Sequence, residues 1–297
     1  MVPTVARYRF TRRVISHRRW CGGGARRART LAVALFARLG FGASAARGKL
    51  ALSPMGRPMT KPQSRDAIYL KRQFDSEIIV LCVRWYITYK LSYRDLAEMM
   101  AERGVVMAHT TIMRWVMRYV PEFEKRWHRF SRPIGSSWRV DETYISIKAN
   151  WHYLYRAVDK QGRTVDFLLR EDRDTEAAKA FFRKALTTHS DRPPRKITLD
   201  GHRPSHRALR LLRREHPAWR RVKVRSSKYL NNLIEQDHRA IKRRYAPMKG
   251  FKSFANATIT IAGIELAHRI HKHQFSFGRG RPRSRRLLHA DWQRALA

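Results

Sequence analysis

Cysteine is nearly absent from this sequence, with only Cys21 and Cys82 in 297 residues. That excludes a disulfide-stapled scaffold, and neither residue stands in a metal-ligand spacing, so a reducing compartment is expected. Long apolar runs are missing too: no stretch of about 18 or more residues is fit to span a bilayer. His152, His202 and His206 have no Cys or His partner at zinc-site spacing, and Ser205–His206 lacks the surroundings of a nucleophile elbow. Acid is the scarcest resource. Asp and Glu number 23 against 64 Lys and Arg, for a net charge of +41 and an isoelectric point near 11.5. A field of that sign draws polyanions, with nucleic acid the first candidate and an anionic membrane surface the second. What remains is 43% hydrophobic, enough for one large or two small domains with true cores.

The shortage of acid is absolute over the first 65 residues, which hold 15 Lys and Arg and no Asp or Glu. The other 232 residues still carry +26, so the case for a polyanionic partner does not depend on this leader. Leu31–Ala46 has the apolar core and small-residue end of a secretory signal, but Arg38 interrupts it and about thirty residues precede it. An acid-free, Arg-rich leader also has the look of an organelle transit peptide. The expectation for 1–65 is a disordered basic arm, or upstream sequence ahead of a start at Met55 or Met59.

From Asp75 the text becomes periodic. Ile78, Ile79, Leu81, Cys82, Trp85 and Tyr86 form a helical apolar stripe. Ser92 opens SYRDLAEMMAERG as an N-cap with Asp95 in the capping-box position, Leu96, Met99 and Met100 as the buried face, and Gly104 as the stop. Thr110 is placed to cap a further helix, TIMRWVMRYV, ending near Pro121. Ile112, Val116 and Tyr119 would face inward, and Arg114 and Arg118 outward. Two short helices, the second basic, fit a helix-turn-helix over 66–130 that reads a major groove; a plain helical bundle fits the same stripe.

Residues 131–275 read differently. Ser136–Lys148 alternates with a period of two, a turn is expected at Asn150, and Trp151–Asp159 and Thr164–Glu171 complete a three-stranded meander. A helix over Thr175–Leu186, capped by Asp174, precedes a short strand Ile197–Leu199 that runs into Asp200–Gly201. A basic helix from Arg203 to His216, a strand over Arg221–Ser227 and a helix within KYLNNLIEQDHRAIKRR (Lys228–Arg244) follow. The order βββαβαβα predicts an α/β class, a mixed sheet flanked by helices. In such a sheet Asp141 and Asp200 can lie within a few ångströms, where two carboxylates repel until a proton or a cation joins them. Oxygen-only ligation suits Mg²⁺, and Glu235, on one helix face with His238, Arg239 and Lys242, could complete a two-metal site. Glu142 and Asp159 compete with Asp141 in such a count, and Asp200–Gly201 is also what a plain strand end looks like.

SYRDLAEMMAERG, TTIMRWV, WRVDETYI, WHYLYRAVD, ITLDG, KYLNNLIEQDHRAIKRR and GFKSFANATITIAGIELAH together carry a resemblance. From about Phe74 to Gln274 the sequence resembles the DDE transposases of bacterial insertion sequences, in particular the insertion-sequence-six family. The resemblance implies a ribonuclease H-like catalytic core behind an all-α helix-turn-helix domain. It assigns the catalytic and metal-binding triad to Asp141, Asp200 and Glu235. Thirty-four residues separate Asp200 from Glu235, and Lys242 stands seven after the glutamate, as the family pattern has it. It further implies two Mg²⁺ ions, with Mn²⁺ as a substitute, and cleavage and strand transfer at terminal inverted repeats by a replicative route. DNA would be held by Arg114, Arg118, Arg239 and Lys242, with help from the basic tail of 276–297 through Arg279–Arg286. The implied assembly is a homodimer or higher in the synaptic complex, in a bacterial cytoplasm and at the nucleoid. The competing expectation is a non-catalytic DNA-binding regulator with an inert core, which should have lost a triad acid; a nuclease of branched DNA or RNA hybrids would lack the helix-turn-helix. The first 58 residues fall outside the resemblance, and the Arg-rich HRPSHRALRLLRREHPAWRR is the least family-like part of the core.

Overall fold

The computed structural model describes residues 67–69, 73–189, 193–227, 232–277 and 288–296. The expected basic leader and the run Arg279–Arg286 lie outside them. Three helices come first: α1 (Ser76–Thr88), α2 (Tyr93–Ala101) and α3 (His109–His128). Asp75 caps α1 by accepting from the Glu77 N–H at 3.0 Å. The capping box of α2 is present in full: the Asp95 N–H donates to Ser92 Oγ (3.1 Å) and the Ser92 N–H to Asp95 Oδ2 (2.9 Å). Past α2, Gly104 has φ +73°, the left-handed value that stops a helix at little cost only for glycine.

α3 departs from expectation at both ends. Ala108, not Thr110, is its N-cap, without a side-chain hydrogen bond, and the helix runs through Pro121 to His128. A proline there forfeits a backbone hydrogen bond and crowds the preceding turn. The second half is retained because Phe123 and Trp127 are buried, with Trp127 edge-on to Phe275, Phe277 and Trp292 at ring separations of 4.8–5.3 Å. Burial of two large aromatic side chains, about 1.5–3 kcal/mol each, outweighs the local penalty. Trp292 belongs to α8 (Leu288–Leu296), a helix the basic C-terminal segment did not announce.

The sheet contains β1 (Ser137–Ile147), β2 (Asn150–Asp159), β3 (Thr164–Arg170), β4 (Lys196–Leu199) and β5 (Lys223–Ser226) in the order β3-β2-β1-β4-β5. β1, β2 and β3 form the antiparallel meander, while β4 lies parallel to β1 and β5 parallel to β4. α4 (Thr175–Thr188) and α5 (Arg203–Glu215) cover one face over Trp138, Val140, Tyr155, Ile197 and Leu199. The other face carries α6 (Asn232–Tyr245) and α7 (Phe254–His271), with Ala257 and Ile261 of α7 packed on Ile145, Ile147, Leu154 and Phe167. The expected element order thus holds, and this is the mixed sheet of a ribonuclease H-like core. The β1–β2 turn falls on Lys148 and Ala149, both at positive φ (50° and 64°), and not on Asn150, which opens β2. Two-residue hairpins require this primed turn, which Asn-Gly usually supplies. Among the described residues, no helix is long and apolar enough to cross a membrane.

α7 also ties the helical module to the sheet, since α1 and α3 both pack against it. They meet it at Gly263, where an added Cβ would stand 2.7 Å from Ile87 Cγ2 and 3.2 Å from both methyls of Val120. Gly263→Ala is therefore expected to destabilise the protein by a net ~1–2 kcal/mol. Overpacking costs about 1–3 kcal/mol, against the ~1 kcal/mol that alanine gains over glycine within a helix. Urea denaturation checks this, and a variant at least as stable as the parent would show that the three helices separate freely.

Candidate active site

Asp141 lies near the middle of β1, opposite Arg156 of β2. Asp200 is the first residue beyond β4, where its Oδ1 accepts the His202 N–H at 3.0 Å and so turns the chain into α5. Because β4 lies parallel to β1, this places both acids at the same level of the sheet. Carboxylate oxygens of Asp141, Glu142 and Asp200 all lie within 4.8 Å of one another. Glu235, in the first turn of α6, is exposed and outside that grouping, yet its charge is felt at Asp141.

The two neighbouring acids of β1 are in opposite electrostatic states. Burial, then the charges of Glu142 and Asp200 and more weakly that of Glu235, push the Asp141 carboxyl up to about 7. Burial acts upward on Glu142 as well, but its hydrogen bonds with His202, Ser205 and Arg173 prevail and hold it below the usual carboxylate range. Ser205 Oγ donates to Glu142 Oε1 (2.7 Å), Arg173 Nη2 donates to Oε2 (3.1 Å), and His202 Nδ1 lies 3.5 Å from Oε1. Glu142 is thus already neutralised by the protein. Among the described residues no Lys or Arg reaches Asp141 or Asp200 within ion-pair distance; His238 Nδ1, 3.6 Å from Asp141 Oδ2, is the nearest basic group. Burial, reinforced by the Arg156 charge, pushes His238 down to about 3, so it is neutral at physiological pH. Uncompensated oxygen donors whose mutual repulsion holds a proton fit a hard divalent cation.

Asp159 does not compete for this role. Its Oδ1 accepts the Gln161 and Arg163 N–H groups and its Oδ2 accepts from the Gly135 N–H and Arg163 Nε, which makes it the organiser of the β2–β3 turn. Of the residues expected on the Glu235 face of α6, Arg239 and Lys242 are exposed and line a shallow basic groove with Gln236, Arg243 and Ala246. His238, three residues on and so 60° round the helix from Glu235, lies at the inner edge of that face, buried with its Nδ1 against Asp141. Arg114 and Arg118 project from α3 into solvent.

Sequence reasoning missed the support beneath α6. Arg156, wholly buried in β2, donates through Nε and Nη2 to Glu265 of α7 (2.6 and 3.0 Å) and its Nη2 lies 2.6 Å from Asp237 Oδ2 of α6. Asp237 is also bound by His268 (2.7 Å) and Lys272. Burial would raise the Asp237 carboxyl, but the His268 hydrogen bond and the charges of Arg156 and Lys272 hold it well below its ordinary value. A charged residue in the apolar run YLYRAV was the available signal, since a buried arginine needs partners.

Sheet order and strand-borne carboxylates together define a ribonuclease H-like enzyme. A family model described as a DDE domain matches residues 135–274. The transposase for insertion sequence-like element IS431mec of Staphylococcus aureus (strain Mu50) is 38% identical over 201 residues, spanning 68% of this chain and 87% of the relative. The transposase for insertion sequence element IS257 in transposon Tn4003, also from Staphylococcus aureus, matches to the same extent. A solved structure of the HTLV-2 integrase catalytic core domain in complex with magnesium (trimeric form) aligns with 44% of this chain and 84% of its own, at 14% identity and a TM-score of 0.34. The chain belongs to the DDE transposases of the insertion-sequence-six family.

Proposed function

We propose that this transposase binds the terminal inverted repeats of its insertion sequence and catalyses their metal-dependent cleavage and strand transfer into target DNA. The observation that carries the reading is the convergence of the Asp141 and Asp200 carboxylates, from β1 and the end of β4, with no Lys or Arg of the described residues in ion-pair reach of either. Glu235 is the third ligand, delivered by α6 from the solvent side, while Glu142, already held by Arg173 and Ser205, sets the position of β1. Two Mg²⁺ ions bound there, or Mn²⁺ in their place, would acidify the attacking water or 3′-hydroxyl and stabilise the leaving oxygen. Neutral His238 buttresses Asp141 without adding positive charge that would compete with a cation. Arg239 and Lys242 hold backbone phosphates over the carboxylates, and Arg114 and Arg118 engage the repeat from α3. Synapsis of two ends calls for at least a dimer, and DNA of this kind places the protein at the nucleoid.

The test is strand transfer by the purified full chain, using labelled repeat ends of its own element with Mg²⁺, beside ends of scrambled sequence. Wild type should join only the native ends. Glu235→Gln should reduce joining about 100-fold or more with the fold intact by circular dichroism, whereas an ion-pairing glutamate on a solvated helix would shift stability slightly and leave joining alone. Wild-type rates from Glu235→Gln would remove it from the site. Specific repeat binding without any joining would convert the reading to a DNA-binding regulator.

A further inference from the structure

The β1–β2 hairpin extends past the helices that cover its face. Directly paired residues of an antiparallel ladder share a face. Glu142 pairs with Tyr155, Tyr144 with Tyr153 and Ser146 with Trp151, so all six point to the side of α4 and α5. Exposure rises outward along this row: Tyr155 is buried, Tyr153 half-buried, Tyr144 46% exposed and Trp151 66% exposed. Of the seven described tryptophans, Trp85, Trp115, Trp127, Trp138, Trp219 and Trp292 are buried in the fold and Trp151 alone is not. The fold therefore makes no use of this indole.

The row begins at Glu142, whose carboxylate lies within 4.8 Å of those of Asp141 and Asp200 although Asp141 itself belongs to the opposite face of β1. Tyr144 stands two residues beyond Glu142, about 7 Å along the strand. Arg173 joins the two, donating through Nη2 to Glu142 (3.1 Å) and through Nη1 to the Tyr144 hydroxyl (3.3 Å), with its guanidinium carbon 5.9 Å from the centre of the tyrosine ring. Tyr144 and Trp151 meet edge to face, with ring centres 6.2 Å apart and planes at 78°, and Tyr153 supports Tyr144 at 5.4 Å. An edge-to-face pair leaves one broad ring surface free to receive a third ring.

We propose that Tyr144 and Trp151, with Arg173 behind them, form a stacking platform for an unpaired DNA base next to the phosphate held at the carboxylates. This rests on the reading of Asp141 and Asp200 as the reaction centre. Aromatic rings beside a cation bind single-stranded nucleic acid because every base offers a π face, and paired bases within a duplex have theirs already covered. Lys148 at the hairpin tip, Arg173 and the net charge of +41 favour a polyanion over another apolar partner. The platform thus selects DNA whose end is frayed or single-stranded, the condition in which a terminal 3′-hydroxyl can be presented to a second strand.

Equilibrium binding by fluorescence anisotropy tests this with the full chain in chelator at fixed salt, where no turnover occurs. The probes are a blunt repeat-end duplex and the same duplex carrying a short 3′ single-stranded extension. Trp151→Ala should weaken binding of the extended probe roughly 5- to 150-fold and leave the blunt duplex within about two-fold, while Trp151→Phe stays near wild type on both. Equal loss on the two probes, or no loss on the extended one, would overturn the platform. Because this readout needs no catalysis, it can fail while strand transfer by wild type succeeds, or succeed while strand transfer fails.

Discussion

Asp141→Ala is expected to eliminate strand transfer while leaving binding to the repeat ends within a few-fold. The carboxylate supplies a negative oxygen where it meets Asp200, and loss of a metal-stabilised transition state forfeits several kcal/mol. At about 1.4 kcal/mol per tenfold, the rate should fall by roughly 10³ or more. On the proposed reading repeat binding draws on Arg114 and Arg118 of α3 and on the basic face of α6, whose side chains this substitution leaves in place, and should persist. Asp141→Asn adds a readout independent of activity. In the metal-free folded protein the Asp141 carboxyl titrates at about 7, against about 3.9 when unfolded. The folded state therefore holds this proton more tightly, so the associated stabilisation is complete below the unfolded value, declines as pH rises, and is gone once pH passes about 7. In chelator at pH 8, Asp141→Asn should melt a few degrees above wild type, and the gap should close toward acid pH. Excess Mg²⁺ should raise the melting temperature of wild type and not that of the variant. A variant that melts below wild type at pH 8, or still joins ends, would contradict the electrostatic account of the site.

Much of this site was legible in the sequence because local rules determined it. The alternation of Ser136–Lys148 predicts a strand that points Asp141 and Glu142 to opposite faces, and Asp200–Gly201 is a strand end that the structure keeps. The Ser92–Asp95 box and the Asp174 cap need only their own turns, and both were found. What escaped depends on partners distant in sequence. Pro121 stops a helix in isolation, but here Trp127 has Phe275 and Trp292 to pack on. α7 shows little amphipathic pattern because it is covered on two sides, by α1 and α3 and by the sheet, so its apolar residues surround the axis. The different fates of Asp141 and Glu142 follow from Arg173, Ser205 and His202, which lie 31 to 63 residues away. The hairpin turn falls immediately before the expected Asn150 because Lys148–Ala149 lacks the usual Asn-Gly signature.

Arg156→Met should cost about 3–5 kcal/mol of stability, the second large effect and one that sequence patterning did not foresee. Breaking a buried pair leaves its partner charged in a medium that solvates it poorly, and Glu265, also wholly buried, would lose both of the hydrogen bonds that Arg156 donates to it. Glu265→Leu should be costly as well, since it takes two hydrogen bonds from the buried guanidinium and leaves Asp237 to hold it. The double variant Arg156→Met/Glu265→Leu should recover a large part of the loss, because an apolar pair of similar volume carries no desolvation penalty, while Asp237 retains His268 and Lys272. Urea denaturation of the four proteins closes this cycle, and additive losses in the double variant would refute the ion-pair account. Activity should not recover in parallel. Arg156 joins β2 to α6 through Asp237, two residues from Glu235, and it stands opposite Asp141 on the ladder. Apolar residues can restore the packing of α7 on the sheet, but they offer Asp237 no directional bond to set the rotation of α6. The double variant should therefore be folded and close to wild type in stability, yet slow in strand transfer by about tenfold or more, since misplacement by an ångström costs a reaction of this kind about 10²-fold. That combination would separate the arginine's hold on the core from the role proposed for it, that of setting α6 so that Glu235 can reach the carboxylates of the sheet.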